Sequence, residues 1–343
     1  MADIAMQTGR RDHSRSAFCI SLILFFLLLL VSITAATLLG VKNLTWDTLP
    51  QALSYNPDDV LSYTVWHVRI PRALLGAVLG GGLAVAGALL QAVTRNPLSD
   101  PEIMGVNQGA SFFVVVSLLL FGLNDITYVV LIAAFLGAAV GGSVVYGLAF
   151  QGDYSPVRLV LAGIAVSFFL GSMTTGFIVL NETDLVEILY WMAGKLSGAT
   201  WVDLRITLMG VIPATLAALL LANQFNILSL GEETARGLGQ NVARIRRLTG
   251  LLVILLVGGA VAVAGPIGFV GLMVPHMARG LVGGDYKRIL PVAALIGANL
   301  LVLADLIGQW MLYPTETPVG IVTALLGTPF FLYLLRRKRG AIA

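Results

Sequence analysis

Residues 226–250 read NILSLGEETARGLGQNVARIRRLTG, and after a further apolar run residues 262–284 read AVAGPIGFVGLMVPHMARGLVGG. A polar, arginine-bearing segment is thus set between two long hydrophobic ones. Residues 226–230 lead in, 232–238 have helix-like composition, and Gly239 breaks the run before 242–247. Glycine is a usual helix stop because it adopts positive φ without a steric penalty. A connection this long and this structured between apolar runs predicts a functional segment rather than a simple link.

Outward from that stretch the chain is overwhelmingly apolar. Of its 343 residues 57% are hydrophobic and only 11% charged, against about 25% charged in a soluble domain. A membrane-spanning helix needs about 20 apolar residues. The sequence divides into ten such segments, near 18–39, 71–92, 105–121, 126–150, 157–180, 204–221, 248–265, 269–281, 289–310 and 319–335. The piece from 269 is short and carries Pro275, which predicts a tilted or broken helix, or one that begins nearer Gly265. Gly76, Gly80 and Ala84 recur every four residues on one helix face, where another backbone can approach closely. Residues 1–16 form a polar, basic N-terminal segment, 17–337 the transmembrane domain and 338–343 a basic tail. The apolar run from 18 is longer than the h-region of a signal peptide, about 7–15 residues. Cys19 is the single cysteine, so no disulfide framework or cysteine metal cluster is expected.

Charge sets the orientation. With ten spans both termini share a side. If that side is cytoplasmic, all but five of the 21 lysines and arginines lie inside, as the positive-inside rule requires. The five outside are Lys42, Arg69, Arg72, Lys195 and Arg205. Runs at 81–87 (GGLAVAG) and 258–265 (GGAVAVAG) echo each other in spans of opposite direction, the pattern of an inverted repeat.

The stretch 69–110, RIPRALLGAVLGGGLAVAGALLQAVTRNPLSDPEIMGVNQGA, together with LGEETARGLG, AGPIGFVGLMVPHMAR, ADL and TPVGIVTALLGTPFFLYLL, resembles the FecCD-type permease subunits of bacterial ABC importers for iron–siderophores, haem and cobalamin. The resemblance covers nearly the whole chain from Arg69 onward. It implies an all-α polytopic membrane protein with the cobalamin-importer-like permease fold, in the bacterial cytoplasmic membrane. It also implies a second permease copy or related permease, two cytoplasmic ATPase subunits carrying ATP and magnesium, and an extracytoplasmic substrate-binding protein. The 232–239 region then docks into the ATPase, with Glu233, Ala235, Arg236, Leu238 and Gly239 as contacts. Arg69 and Arg72 would receive acidic residues of the binding protein. The family often has an arginine four residues after its ADxxxR aspartate. Gln309 stands there after Asp305, and Arg205 or Lys195 would have to compensate. Asn96, Leu98 and Ser155 would help form the cytoplasmic gate. Ferric siderophore is the expected cargo, with haem and cobalamin as alternatives.

The chain itself offers no catalytic or cofactor site. Residues 193–197 (AGKLS) lack both the earlier glycine and the Ser or Thr that a phosphate loop requires next to its Gly-Lys. A lone His276 gives no metal constellation and is expected to make structural hydrogen bonds. Asp305 is expected to pair with a basic group near the outer face, and Glu316 to cap or orient the last span. An ion-coupled transporter would need several intramembrane carboxylates, and the sequence presents Asp305 as the clear one. A membrane-embedded enzyme would need a paired His/Asp/Glu set, which is not apparent.

Overall fold

A computed structural model describes residues 2–39, 47–121, 126–149, 156–180 and 185–339. The first helix, α1 (Ala2–Leu39), runs unbroken through the basic N-terminal segment into the first span. Two short helices follow, α2 (Leu49–Leu53) and α3 (Val60–Tyr63). A π-helical turn, Thr64–Arg69, then leads directly into α4 (Ile70–Thr94). Val60–Thr94 is therefore one continuous 35-residue helix, where the sequence predicts loop up to residue 68. Asp59 caps its start by accepting from the Ser62 amide at 3.0 Å. The π turn sits just before Pro71, which has no N–H to give to the carbonyl one turn back, so the ladder is irregular there.

Next come α5 (Val106–Phe121), α6 (Ile126–Ala149), α7 (Pro156–Leu180) and α8 (Leu185–Met192). The last of these lies in a region the sequence predicts as loop. Thr200 and Asp203 form a capping box at the head of α9 (Trp201–Leu220). α10 (Ala222–Ser229) and α11 (Glu232–Gly237) make the polar segment, followed by α12 (Val242–Ala264), α13 (Val270–Val282), α14 (Tyr286–Met311) and α15 (Val319–Arg339). Among the described residues seven helices are long and apolar enough to cross a membrane, and three shorter apolar ones lie in α5, α13 and α15.

α4 is the hub. Every residue from Leu79 to Thr94 is buried, against α14, α12, α13 and α9. Small residues permit this. A Cβ placed on Gly80 would lie 2.2 Å from the Gly297 carbonyl oxygen of α14, so two backbones touch where neither side chain intervenes. The spacing of Gly76, Gly80 and Ala84 marks that seam. The echoing Gly–Ala runs of α4 and α12 both lie at buried crossings.

The short α13 is real and has a structural cause. At about 1.5 Å per residue its 13 residues span roughly 20 Å, less than the hydrocarbon core of about 30 Å. It begins at Val270, after a non-helical break in which Phe269 has φ +67°. A 3-10 turn, Pro101–Met104, fills that break: a Cβ on Gly268 would meet the Glu102 carboxylate at 2.2 Å. Asp100 Oδ1 accepts the Glu102 amide at 3.1 Å, and Asp100 and Pro101 pack against Gly271 in the first turn of α13. Irregular backbone is tolerated at such depth only when protein supplies its hydrogen bonds.

Candidate functional site

The polar segment is built as a bracket. α10 is fixed from below by Asn226, whose Nδ2 donates to Asp285 Oδ1 at 2.6 Å and whose Oδ1 accepts from the Tyr286 amide at 2.8 Å. Asp285 also caps α14, so the bracket is tied to the α13–α14 turn. Gly231 (φ +116°) and Gly239 (φ +79°) form its two corners. The Gln240 side chain returns to the Gln224 carbonyl at 2.9 Å. Asn241 caps α12, accepting from the Arg244 amide.

Within the bracket Glu232 is the electrostatic centre. It takes Arg246 Nη2 at 2.6 Å and Arg236 Nη2 at 2.7 Å. Burial acts to raise its pKa. The bond to Arg246, with the charges of Arg246, Arg236 and Arg95, overcomes this and holds Glu232 below the usual carboxylate range. Arg246 is itself buried, so the pair locks α11 onto the root of α12.

The outward face of α11 presents Glu233, Thr234, Arg236, Gly237, Leu238 and Gly239. Leu238 is 62% exposed, an apolar tip with nothing of this chain covering it. Ala235 departs from the sequence expectation. At 0% exposure it faces the core, because a six-residue helix lying flat must turn one face inward. It anchors α11 rather than touching a partner. On the same end of the molecule, Asn96 Oδ1 accepts the Leu98 amide at 3.0 Å in a tight turn, with both residues half-buried. Ser155, expected beside them at the gate, lies outside the described residues.

At the opposite end Arg72 is only 5% exposed. Its Nε and Nη2 pair with both oxygens of Asp305 at 2.8 and 2.9 Å, and its Nη1 meets Glu316 Oε2 at 2.9 Å. The register explains the match. Arg72 and Asp305 each lie eight residues from the Gly80–Gly297 contact, about 12 Å along antiparallel helices. Both are carried to the same end. The expectation that Arg72 receives a partner's carboxylate is thereby corrected: two carboxylates of its own chain already occupy it. Asp305 does pair with a basic group. Glu316 pairs with Arg72 instead of capping α15, and its carbonyl accepts the Tyr190 hydroxyl. Gln309 bridges, giving Nε2 to Asp305 at 2.9 Å and accepting from Arg69. Arg69 is half-buried and Lys195 lines the small cleft around Arg72. Arg205 is exposed on α9.

Sequence reasoning missed Asp100 and Glu102. They read as polar loop, yet the turn folds inward. Asp100 is 7% exposed and Glu102 is half-buried against Gly268. Gln91 and Arg279 were missed too. Gln91 donates to the Gly271 carbonyl at 3.1 Å and accepts from Arg279. His276 stands edge-on to Phe330 at 5.9 Å. Among the described residues no group of three or more His, Cys, Asp or Glu is placed to hold a metal.

A body of long apolar helices with a bracketed polar tip at one end and a carboxylate–arginine network at the other is that of a polytopic membrane protein. Comparison with known proteins specifies it. The chain belongs to the FecCD transport family, whose model matches residues 27–337. It is 47% identical over 338 residues to the Fe(3+)-citrate import system permease protein YfmD of Bacillus subtilis, covering 96% of this chain and 97% of that one. It is 41% identical to the ferric enterobactin transport system permease protein FepD of Escherichia coli, covering 91% and 93%. Its fold matches an inward-facing ABC transporter of the metal-chelate type with a TM-score of 0.82 and 30% identity, covering 92% of this chain and 98% of that one. The protein is a multi-pass permease subunit of an ABC importer in the cytoplasmic membrane.

Proposed function

We propose that this chain is one half of the membrane path of an importer for ferric chelates, with citrate or a siderophore as the chelator. The observation that carries the cargo is the 47% identity to an Fe(3+)-citrate permease across nearly the full length of both chains. A second permease completes the path. Two ATPase subunits, which carry the ATP and magnesium, dock on the end bearing α11, and a cargo-loaded binding protein docks on the end bearing Arg69.

In this reading Leu238, Gly239, Glu233 and Arg236 enter a groove of the ATPase, as short helices do. The ion pairs of Glu232 make α11 a stiff lever on α12, so ATPase closure moves the root of a span. Arg69, Glu316 and Lys195 form the rim that a charged partner meets, and charge at a rim favours encounter and orientation. Arg72 and Asp305 hold that rim in shape. Asn96 and Leu98 line the exit beside the lever.

The test is uptake of radioactive iron into vesicles containing this permease, its ATPase and its binding protein. Ferric citrate or a ferric siderophore should accumulate with ATP inside. Accumulation of haem or cobalamin, with no ferric chelate, would overturn the cargo.

A further inference from the structure

A cavity of about 470 Å³ adjoins the root of α12, between α4, α5, α6, α7 and α12, with Arg246 of the Glu232 pair in its wall. This is within the ~300–1,000 Å³ of small-molecule sites. Its floor is buried and apolar: Leu90, Val93, Val106, Val145, Leu159 and Val253. Its mouth lies between Gly147 of α6 and Gly250 of α12. Those glycines leave the space open. A Cβ at Gly147 would meet nothing within 4 Å, and one at Gly250 only Tyr146 Cε2 at 3.9 Å.

Below the mouth the chemistry changes. Arg244, Arg247 and Leu251 are all exposed and follow one another at three- and four-residue spacing, so they form one stripe on α12. Leu251 is at the groove's rim, with Arg247 one turn and Arg244 two turns toward the end that carries α11. Neither arginine makes an ion pair among the described residues. An apolar groove in a membrane protein, with two cations at its lower edge, matches an amphiphile with an acyl tail and an anionic head. Basic pockets between spans on the cytoplasmic side recognise such lipids.

We infer that this groove is a binding site for an anionic phospholipid of the leaflet on the α11 side, with its acyl chain in the cavity and its phosphate between Arg244 and Arg247. The alternative is plain snorkelling of two arginines above an empty cleft. The two differ in whether filling the cavity matters.

The full chain is reconstituted in phosphatidylcholine vesicles containing phosphatidylglycerol, re-extracted gently and weighed by native mass spectrometry. Wild type should keep one phosphatidylglycerol per chain in preference to phosphatidylcholine. Gly250→Leu, which fills the cavity without touching the arginines, and Arg247→Gln, which leaves the cavity open, should each reduce that retention at least fivefold. Thermal unfolding of each variant like wild type shows that the fold is intact; Gly147→Leu fills the same space from α6 if Gly250→Leu fails to fold. Unchanged retention in a folded groove-filled variant would overturn the site. So would equal retention of both lipids.

Discussion

Arg72 shows how much one pair of residues can constrain. Its guanidinium grips two carboxylates of this chain from other elements, Asp305 and Glu316. Removing one partner of a buried pair leaves the other charge desolvated, at a cost of about 3–5 kcal/mol. Asp305→Asn should therefore lower the unfolding temperature markedly in detergent, while Glu316→Gln, whose side chain is 37% exposed, should do so less. Replacing the pair together, Arg72→Met with Asp305→Leu, should recover most of the loss, as apolar replacement of buried pairs often does. Asp305 was legible as a membrane carboxylate needing a cation, since charge among apolar residues is conspicuous. Asp100 was not, because an Asn-Pro…Asp-Pro stretch reads as a surface turn, and only the fold shows it turned inward.

At the scale of elements, α4 and α14 depend on the absence of side chains where they cross. Gly80→Leu would place its Cβ 2.2 Å from a backbone oxygen and 2.8 Å from Leu301 Cβ, contacts with no flexible end to yield. The variant should fail to accumulate in membranes, whereas Gly210→Leu on α9, with nothing within 4 Å, should accumulate normally. The four-residue glycine spacing made this seam readable in advance. The break before α13 was readable only as shortness, since the Pro101–Met104 turn that fills it lies some 165 residues away in sequence. α11 was legible for a different reason: glycines at both ends, and polar residues between two spans. Its depth was not, so Ala235 was read as a contact. Leu238→Asp should leave folding intact, since the side chain is mostly exposed, and should weaken ATPase binding at least tenfold, about 1.4 kcal/mol, measured with purified subunits.

For the whole molecule the central claim is that motion generated on a separate ATPase enters this chain through α11. The helical membrane body was legible because membrane spans need long apolar runs and little else. The lever was legible as a segment but not as a mechanism, because the Glu232–Arg246 tie that stiffens it joins residues on two different helices. The most direct measurement places a cysteine at Glu233 in a Cys19→Ser background and cross-links in native membranes. Joined products are then identified, and ferric chelate uptake is followed with and without the bridge. The account predicts one cross-linked ATPase subunit per permease, with uptake that needs ATP and stops when the bridge is closed. A chain that stays unjoined and carries iron on an ion gradient alone would contradict it.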